Sequence, residues 1–134
     1  MDLAAKVLII GGLTHFVYGC LNGFGFAKQR NTREYANRYL VMTHTGSFLF
    51  GAVLMALVVA LPLLKLPDNV GLAAAVLVVV GAWMVTVKNT LDWLANVTDE
   101  FKQKPIVPRI LGPIGVLCDT VGYTIFLVGA IRGL

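Results

Sequence analysis

Four long apolar segments restrict the possible folds of this chain more than any other feature of its sequence. They run from about residue 3 to 26, 39 to 61, 70 to 95 and 110 to 131. Each has at least 18 residues, and about 20 helical residues cross the ~30 Å hydrocarbon core of a bilayer. Because backbone groups in lipid need hydrogen-bond partners within the chain, each segment is predicted to be a transmembrane helix.

The composition agrees with this prediction. The chain is 57% hydrophobic and 13% charged, whereas soluble domains are about 25% charged. The first apolar run is too long for a cleavable signal peptide and lacks a small-residue cleavage site, so we expect it to remain as a helix. Short links containing Pro62, Pro67, Pro105 and Pro108 separate the segments. They predict one domain, 1–134, an all-α integral membrane protein folded as an up-down bundle of four transmembrane helices.

The basic residues predict how the chain is oriented in the membrane. The first and third connections carry seven of them: Lys28, Arg30, Arg33, Arg38, Lys102, Lys104 and Arg109. The other side carries three: Lys6, Lys65 and Arg132. The positive-inside rule predicts an inner or plasma membrane protein with loops one and three in the cytoplasm and both termini outside. The net charge is +4, and the basic residues cluster at the helix ends. We therefore expect the lipid bilayer as a partner and no nucleic acid.

Ionisable residues within the apolar segments are the first candidates for function, because lipid makes them costly. His44 lies near the charged end of the second segment, where an imidazole can accept a proton, bind a metal or ligate haem iron. Gly46 is expected to leave open surface beside its ring. His15 lies deeper in the first segment. The two rings could form a bis-histidine pair, or each could be hydrogen-bonded to a neighbouring helix.

Three further ionisable residues fall in the third and fourth segments. Lys88 and Asp92 are four residues apart, so they share a helix face and can form an ion pair. With Asn89 they make a polar patch. This patch is interpreted either as a substrate contact or as a lysine that extends to the membrane–water interface, accompanied by a capping aspartate. Asp119 is predicted to point inward, toward a histidine, Lys88 or a water-filled pocket.

The second and third segments resemble styrene oxide isomerases, a family of small four-helix membrane isomerases. The shared pattern is a histidine, two glycines, a proline and a tryptophan at the same intervals without a gap. Here these residues are His44, Gly46, Gly51, Pro62 and Trp83. The last helix also carries the glycine-proline pair of the family, Gly112-Pro113. The ungapped pattern covers about 40 residues.

The resemblance implies a cofactor and a reaction. In the family, the histidine ligates a haem b held between neighbouring subunits of a trimer. The ferric iron acts as a Lewis acid on an epoxide oxygen, and the opened epoxide rearranges to an aldehyde. The resemblance therefore implies that His44 is the axial iron ligand, with Gly46, Gly51 and Trp83 at the haem. A small lipophilic substrate would enter from the bilayer and meet further candidate residues: Phe48, Phe50 and Tyr123 in the pocket, and Asn89, Asp119, Lys88 and Asp92 as polar contacts.

Three positions depart from the family pattern. Phe50 stands where the family has an asparagine, Gly81 where it has an aspartate, and Asn89 where it has a tyrosine. The histidine is kept while polar pocket positions change. These departures predict that haem binding is retained and that the substrate differs.

A second resemblance leaves the chemistry open. The stretch "LIIGGLTHF" is similar to the start of hydroxylaminobenzene mutases, which have nearly this length and rearrange arylhydroxylamines. It implies a redox-neutral rearrangement without haem. A non-enzymatic b-type haem protein using His15 and His44, or a small transporter using Asp119, remains the alternative to an enzyme. The preferred prediction is a homotrimeric, haem-b-dependent membrane isomerase.

Overall fold

The structure, a computed structural model, describes residues 2–133, which form only helices and their connections. The helices are α1 Leu3–Thr32, α2 Arg38–Ala60, α3 Asp68–Leu94, α4 Glu100–Gln103 and α5 Ile106–Gly133. A short 3-10 turn, Leu61–Leu63, ends α2. By length and composition, α1, α2 with its turn, α3 and α5 can each cross a membrane. This confirms the predicted all-helical protein with four candidate transmembrane helices.

Two helix ends differ from the limits expected from the apolar runs. Helix α1 continues to Thr32 because the polar residues after Phe26 include neither glycine nor proline, so nothing stops the helix where the apolar run stops. Helix α5 begins at Ile106, with Pro108 in its first turn. A proline is tolerated there because the first backbone N–H groups of a helix have no partner within the helix.

Three of the transmembrane helices form a cluster, and the fourth packs on its outside. Helices α1, α2 and α3 contact one another, whereas α5 packs almost entirely along α3. The connections are short, so successive helices run antiparallel, as an up-down order requires. The fourth transmembrane helix nevertheless packs on α3 and not against α1.

Glycines set the distance between α3 and α5. Gly115, Gly122 and Gly129 are buried at seven-residue intervals along α5. A methyl group added to Gly115 would come within 3.0 Å of the Gly81 carbonyl oxygen, and one added to Gly122 within 3.0 Å of the Ala74 carbonyl oxygen. The two backbones are therefore in close contact, as small residues allow for helices in lipid.

The contact between α1 and α2 is made in the same way. A methyl group on Gly51 would come within 3.0 Å of the Gly12 carbonyl oxygen. Nearby, an apolar core joins α1, α2, α3 and α5 through Ala4, Leu8, Leu54, Ala74, Ala75, Val78 and Phe126. Gly51, predicted to lie at a haem, thus lies inside the helix contact. This close contact brings His44 on α2 within reach of the α1 backbone.

Candidate active site

His44 lies in the contact between α2 and α1, half-buried between two aromatic rings. Its Nδ1 is 2.9 Å from the carbonyl oxygen of Gly19 on α1. The Phe26 and Phe48 ring centroids lie 5.5 Å and 5.2 Å from the imidazole centroid. The ring is therefore held by one backbone hydrogen bond and by aromatic contacts on two sides.

This hydrogen bond decides which nitrogen of His44 is available. A carbonyl oxygen can only accept, so Nδ1 carries the proton and donates it. In the neutral ring, Nε2 then keeps its lone pair, and no hydrogen bond to Nε2 occurs within residues 2–133. A methyl group on Gly23 would lie 3.6 Å from Cε1, the atom between the two nitrogens, so Gly23 leaves room beside the ring. An imidazole oriented by a backbone carbonyl is the usual form of a metal-binding histidine.

His15 is placed differently. It is fully buried, and its Nδ1 is 2.9 Å from the Gly11 carbonyl oxygen, while its Nε2 is 3.4 Å from the Thr86 hydroxyl. Its ring lies against Trp83, with centroids 4.3 Å apart. Both nitrogens are thus occupied by protein groups. The structure does not bring His15 and His44 into one cavity, which argues against the bis-histidine electron carrier.

A membrane-facing groove of about 450 Å³ opens between α2 and α3. Apolar side chains form most of its wall, and the lining residues are Met42, Thr45, Gly46, Leu49, Phe50, Val85 and Asn89. A methyl group on Gly46 would have no neighbouring atom within 4 Å. The open surface provided by Gly46 therefore belongs to this groove. It does not lie beside the His44 ring, because two residues turn a helix by about 200°.

Asn89 is the buried polar group of the groove, with 6% of its surface exposed. Lys88 Nζ lies 3.4 Å from Asn89 Oδ1 and can only donate, so the amide oxygen faces the lysine. The amide nitrogen makes no hydrogen bond within residues 2–133. Asn89 can therefore donate a hydrogen bond to an oxygen atom of a molecule in the groove.

Lys88 itself is held by two carboxylates. Asp92 is fully buried, and its Oδ2 lies 3.2 Å from Lys88 Nζ without hydrogen-bond geometry. Glu100 of α4 forms a second ion pair with the lysine. Burial raises the pKa of Glu100, but the hydrogen bond and positive charge of Lys88 outweigh it, so this pKa lies below its ordinary value. Tyr39 of α2 lies beneath the ammonium group, 5.1 Å from the ring centroid.

Asp119 lies in the contact between α5 and α3, away from both histidines. Its Oδ1 is buried and has no hydrogen-bond partner within residues 2–133. The carboxyl group occupies the space that any side chain at Gly81 would need. The predicted direction toward a histidine or Lys88 is therefore not found. The departure at position 81 has a steric reason, since an aspartate there would collide with Asp119.

The comparisons with known proteins identify the family. The sequence model described as Styrene oxide isomerase matches residues 4–134, nearly the whole chain. The chain belongs to the styrene oxide isomerase family. Membership indicates an isomerase and confirms the resemblance seen in the second and third segments. No curated protein and no solved structure matches the chain.

The candidate site residues of this family member fall into separate places. His44 and Phe48 lie on the α1 side of α2, whereas Gly46, Phe50 and Asn89 line the groove on the α3 side. Trp83 packs on His15 and borders a smaller apolar groove formed mainly by α1. Tyr123 is half-buried on α5, one turn beyond Asp119. Within the chain, α2 therefore separates the candidate iron ligand from the candidate substrate groove.

Sequence reasoning missed the residues that orient this family member's polar groups. Gly19 and Gly23 are four residues apart on one face of α1, and this spacing is the signal that could have marked a smooth surface facing His44. Phe26 lies on the same side of the helix. Glu100 gave no such signal, because it belongs to a connection and reaches Lys88 only through the fold.

Proposed function

We propose that this protein is a haem-b-dependent membrane isomerase that rearranges a small lipophilic epoxide to a carbonyl compound. The observation that carries the proposal is the His44 ring, whose Nδ1 is fixed by the Gly19 carbonyl oxygen at 2.9 Å so that Nε2 keeps a free lone pair. Together with family membership, this geometry favours His44 as the axial ligand.

The residues around His44 fit a flat, apolar cofactor. Phe26 and Phe48 would border it, and Gly23 would leave the ring edge open. A ferric haem held by one histidine would supply a Lewis acid for the oxygen of the substrate. Because the Nδ1 proton of His44 is committed to the Gly19 carbonyl oxygen, the ring would act as a ligand and not as a general acid.

The groove between α2 and α3 is the proposed substrate site. Its apolar wall would bind the hydrocarbon part of the substrate and keep water away from the reacting carbon. Asn89 would donate a hydrogen bond to the substrate oxygen as negative charge develops there. The face of Phe50 would stabilise the positive charge left on carbon. One C–O bond breaks, a hydrogen migrates with its electron pair to the neighbouring carbon, and a C=O bond forms, so neither oxidant nor water is consumed.

The separation of His44 and the groove by α2 supports an oligomeric site. In a closed ring of subunits, the α1–α2 side of one copy can face the α2–α3 side of the next. We therefore include in the proposal a homotrimer with haem b between neighbouring subunits. The proposal also keeps loops one and three in the cytoplasm, which the distribution of basic residues favours.

The test is the absorbance spectrum of the purified protein, expressed with haem supplied and checked by the pyridine haemochrome assay. We expect a five-coordinate ferric haem that is lost in His44→Gly. Added imidazole should restore haem binding to His44→Gly, because it replaces the missing ligand without changing the helix. A variant that retains full haem occupancy without imidazole would refute His44 as the ligand. A haem-free wild-type protein that rearranges an arylhydroxylamine would instead establish the mutase-type reaction.

A further inference from the structure

A recess outside the candidate active site lies where α4 meets α5. It has a volume of about 200 Å³ and is lined by Glu100, Phe101, Lys104 and Arg109. Neither the proposed cofactor nor the proposed substrate uses any of these side chains. The recess is at the end of the molecule where the connections carry most of the basic residues.

The charge of the recess is positive. Glu100 is the single acidic residue in its lining, and its carboxylate is already paired with Lys88. Lys104 and Arg109 are exposed, and neither forms an ion pair within residues 2–133. Two cationic side chains are therefore available at one recess, and the carboxylate beside them is already engaged by Lys88.

The backbone fixes the spacing of these two cations. Lys104 ends α4 in the left-handed conformation, with φ 48° and ψ 53°, and its N–H donates to the Glu100 carbonyl oxygen at 2.9 Å. The Arg109 N–H donates to the Pro105 carbonyl oxygen at 3.1 Å. Because Pro105 also restricts the chain between the two cations, the recess is a defined feature of the turn.

Exposed apolar side chains lie beside the cations. Phe101, on the short helix α4, is 88% exposed. Ile106, the first residue of α5, which can span a membrane, is 76% exposed. In water, this exposure would be unfavourable. At a membrane surface, both side chains would enter the acyl region while Lys104 and Arg109 stay at the level of the lipid phosphates.

We propose that this recess binds the phosphate group of an anionic phospholipid, held by Lys104 and Arg109. The guanidinium can make paired hydrogen bonds to phosphate oxygens, and the ammonium adds a second point charge. A soluble phosphate compound would satisfy the same two cations. It would leave Phe101 and Ile106 in water, so these side chains favour the lipid.

The test compares lipid retention by the full-length protein in nanodiscs containing phosphatidylglycerol and phosphatidylcholine, measured by native mass spectrometry. We expect the wild type to retain phosphatidylglycerol, and Lys104→Gln with Arg109→Gln to bind it about 30-fold more weakly. The matched control is Arg30→Gln with Lys102→Gln, which removes two charges from the same end without touching the recess. Exchange of the two cations, Lys104→Arg with Arg109→Lys, should keep the lipid.

Two results would overturn the proposal. One is equal loss of lipid from the recess variant and from the control, which would mean that only total charge matters. The other is displacement of the lipid by inorganic phosphate, which would show that a soluble phosphate compound is the ligand. Haem content and isomerase activity are not part of either readout, so failure here is distinct from failure of the proposed function.

Discussion

The polar groups on the two sides of helix α2 are held in place by different means. On the side facing α1, a backbone carbonyl oxygen fixes the His44 ring at 2.9 Å. On the side facing α3, a charged side chain orients Asn89, since Lys88 Nζ lies 3.4 Å from its amide oxygen. That lysine depends in turn on Asp92 and Glu100.

This difference determines which features of the candidate site an amino-acid substitution can change. No side-chain replacement removes the Gly19 carbonyl, so the hydrogen bond that orients His44 depends on how α1 and α2 pack. The groove depends on side chains that can each be exchanged. This agrees with a chain that keeps the histidine of its family while Phe50 and Asn89 depart from the family pattern. Under the proposed function, one side of α2 would keep the cofactor while the other adapts to the substrate.

The largest effect is expected when each side of α2 is inactivated in a separate variant and the two variants are then assembled into mixed oligomers. His44→Ala should abolish isomerase activity on the best of a panel of aryl epoxides, and Asn89→Ala should lower it about 100-fold. If His44 of one subunit serves the groove of the next, trimers that contain both variants should regain activity at about one in three of their sites. Activity is measured on oligomers purified through two different tags.

The control for this experiment is a preparation of each variant carrying both tags, which must show no more than the residual activity of that variant. Absence of recovery in mixed oligomers would show that His44 and Asn89 do not act together across a subunit boundary.

A smaller effect is expected when each side is filled sterically. The leucine side chain of Gly46→Leu has open space around it and should fill the groove. We expect it to raise KM about tenfold without loss of haem, because it competes with the substrate for that space. Gly23→Leu is the matched variant on the other side, where the added side chain reaches the His44 ring and should lower haem occupancy. Activity and the absorbance spectrum are measured for both. The comparison fails if Gly46→Leu loses haem or if Gly23→Leu retains all of it.

The smallest effect concerns the carboxylate that supports the groove side. Glu100→Gln should lower the free energy of unfolding by about 1 kcal/mol or less, because its ion pair with Lys88 is partly exposed. The pKa of Glu100 is lowered in the folded protein. Its stabilising contribution is therefore present above the ordinary glutamate pKa and is lost as the pH falls through the lowered value.

Thermal unfolding in detergent at neutral and acidic pH measures this contribution. Glu34→Gln, an exposed change in the first connection, is the control and should leave the acid dependence unchanged. An equal acid dependence in wild type and Glu100→Gln would contradict the assignment.

Much of the fold could be predicted because segment length is a local property. Four runs long enough to cross a bilayer appear directly in the sequence, and the structure has four such helices. The ends were less predictable, since α1 continues through polar residues to Thr32. The pairing of helices could not be predicted, because α2 is apolar on nearly every side and no pattern marks the face that meets α1. For the same reason, the importance of His44 could be inferred but not its contact with Gly19.

The polar cluster shows the same limit. The four-residue spacing of Lys88 and Asp92 predicted their ion pair, which the structure contains. Glu100 could not be predicted as the third member, because a turn after α3 brings it back to the lysine. Asp119 was expected to face a histidine, Lys88 or a water-filled pocket, and its actual contact at Gly81 depends on how closely α5 approaches α3.

The contact between Asp119 and Gly81 implies that the two positions are substituted as a pair. The carboxyl group fills the volume that a side chain at 81 would occupy, so the interface between α3 and α5 accommodates one carboxylate, attached to either helix. A family member with aspartate at the position of Gly81 should therefore carry a small residue at the position of Asp119. Such a pair of substitutions moves a carboxyl group from one helix to the other while its location in the membrane stays nearly the same.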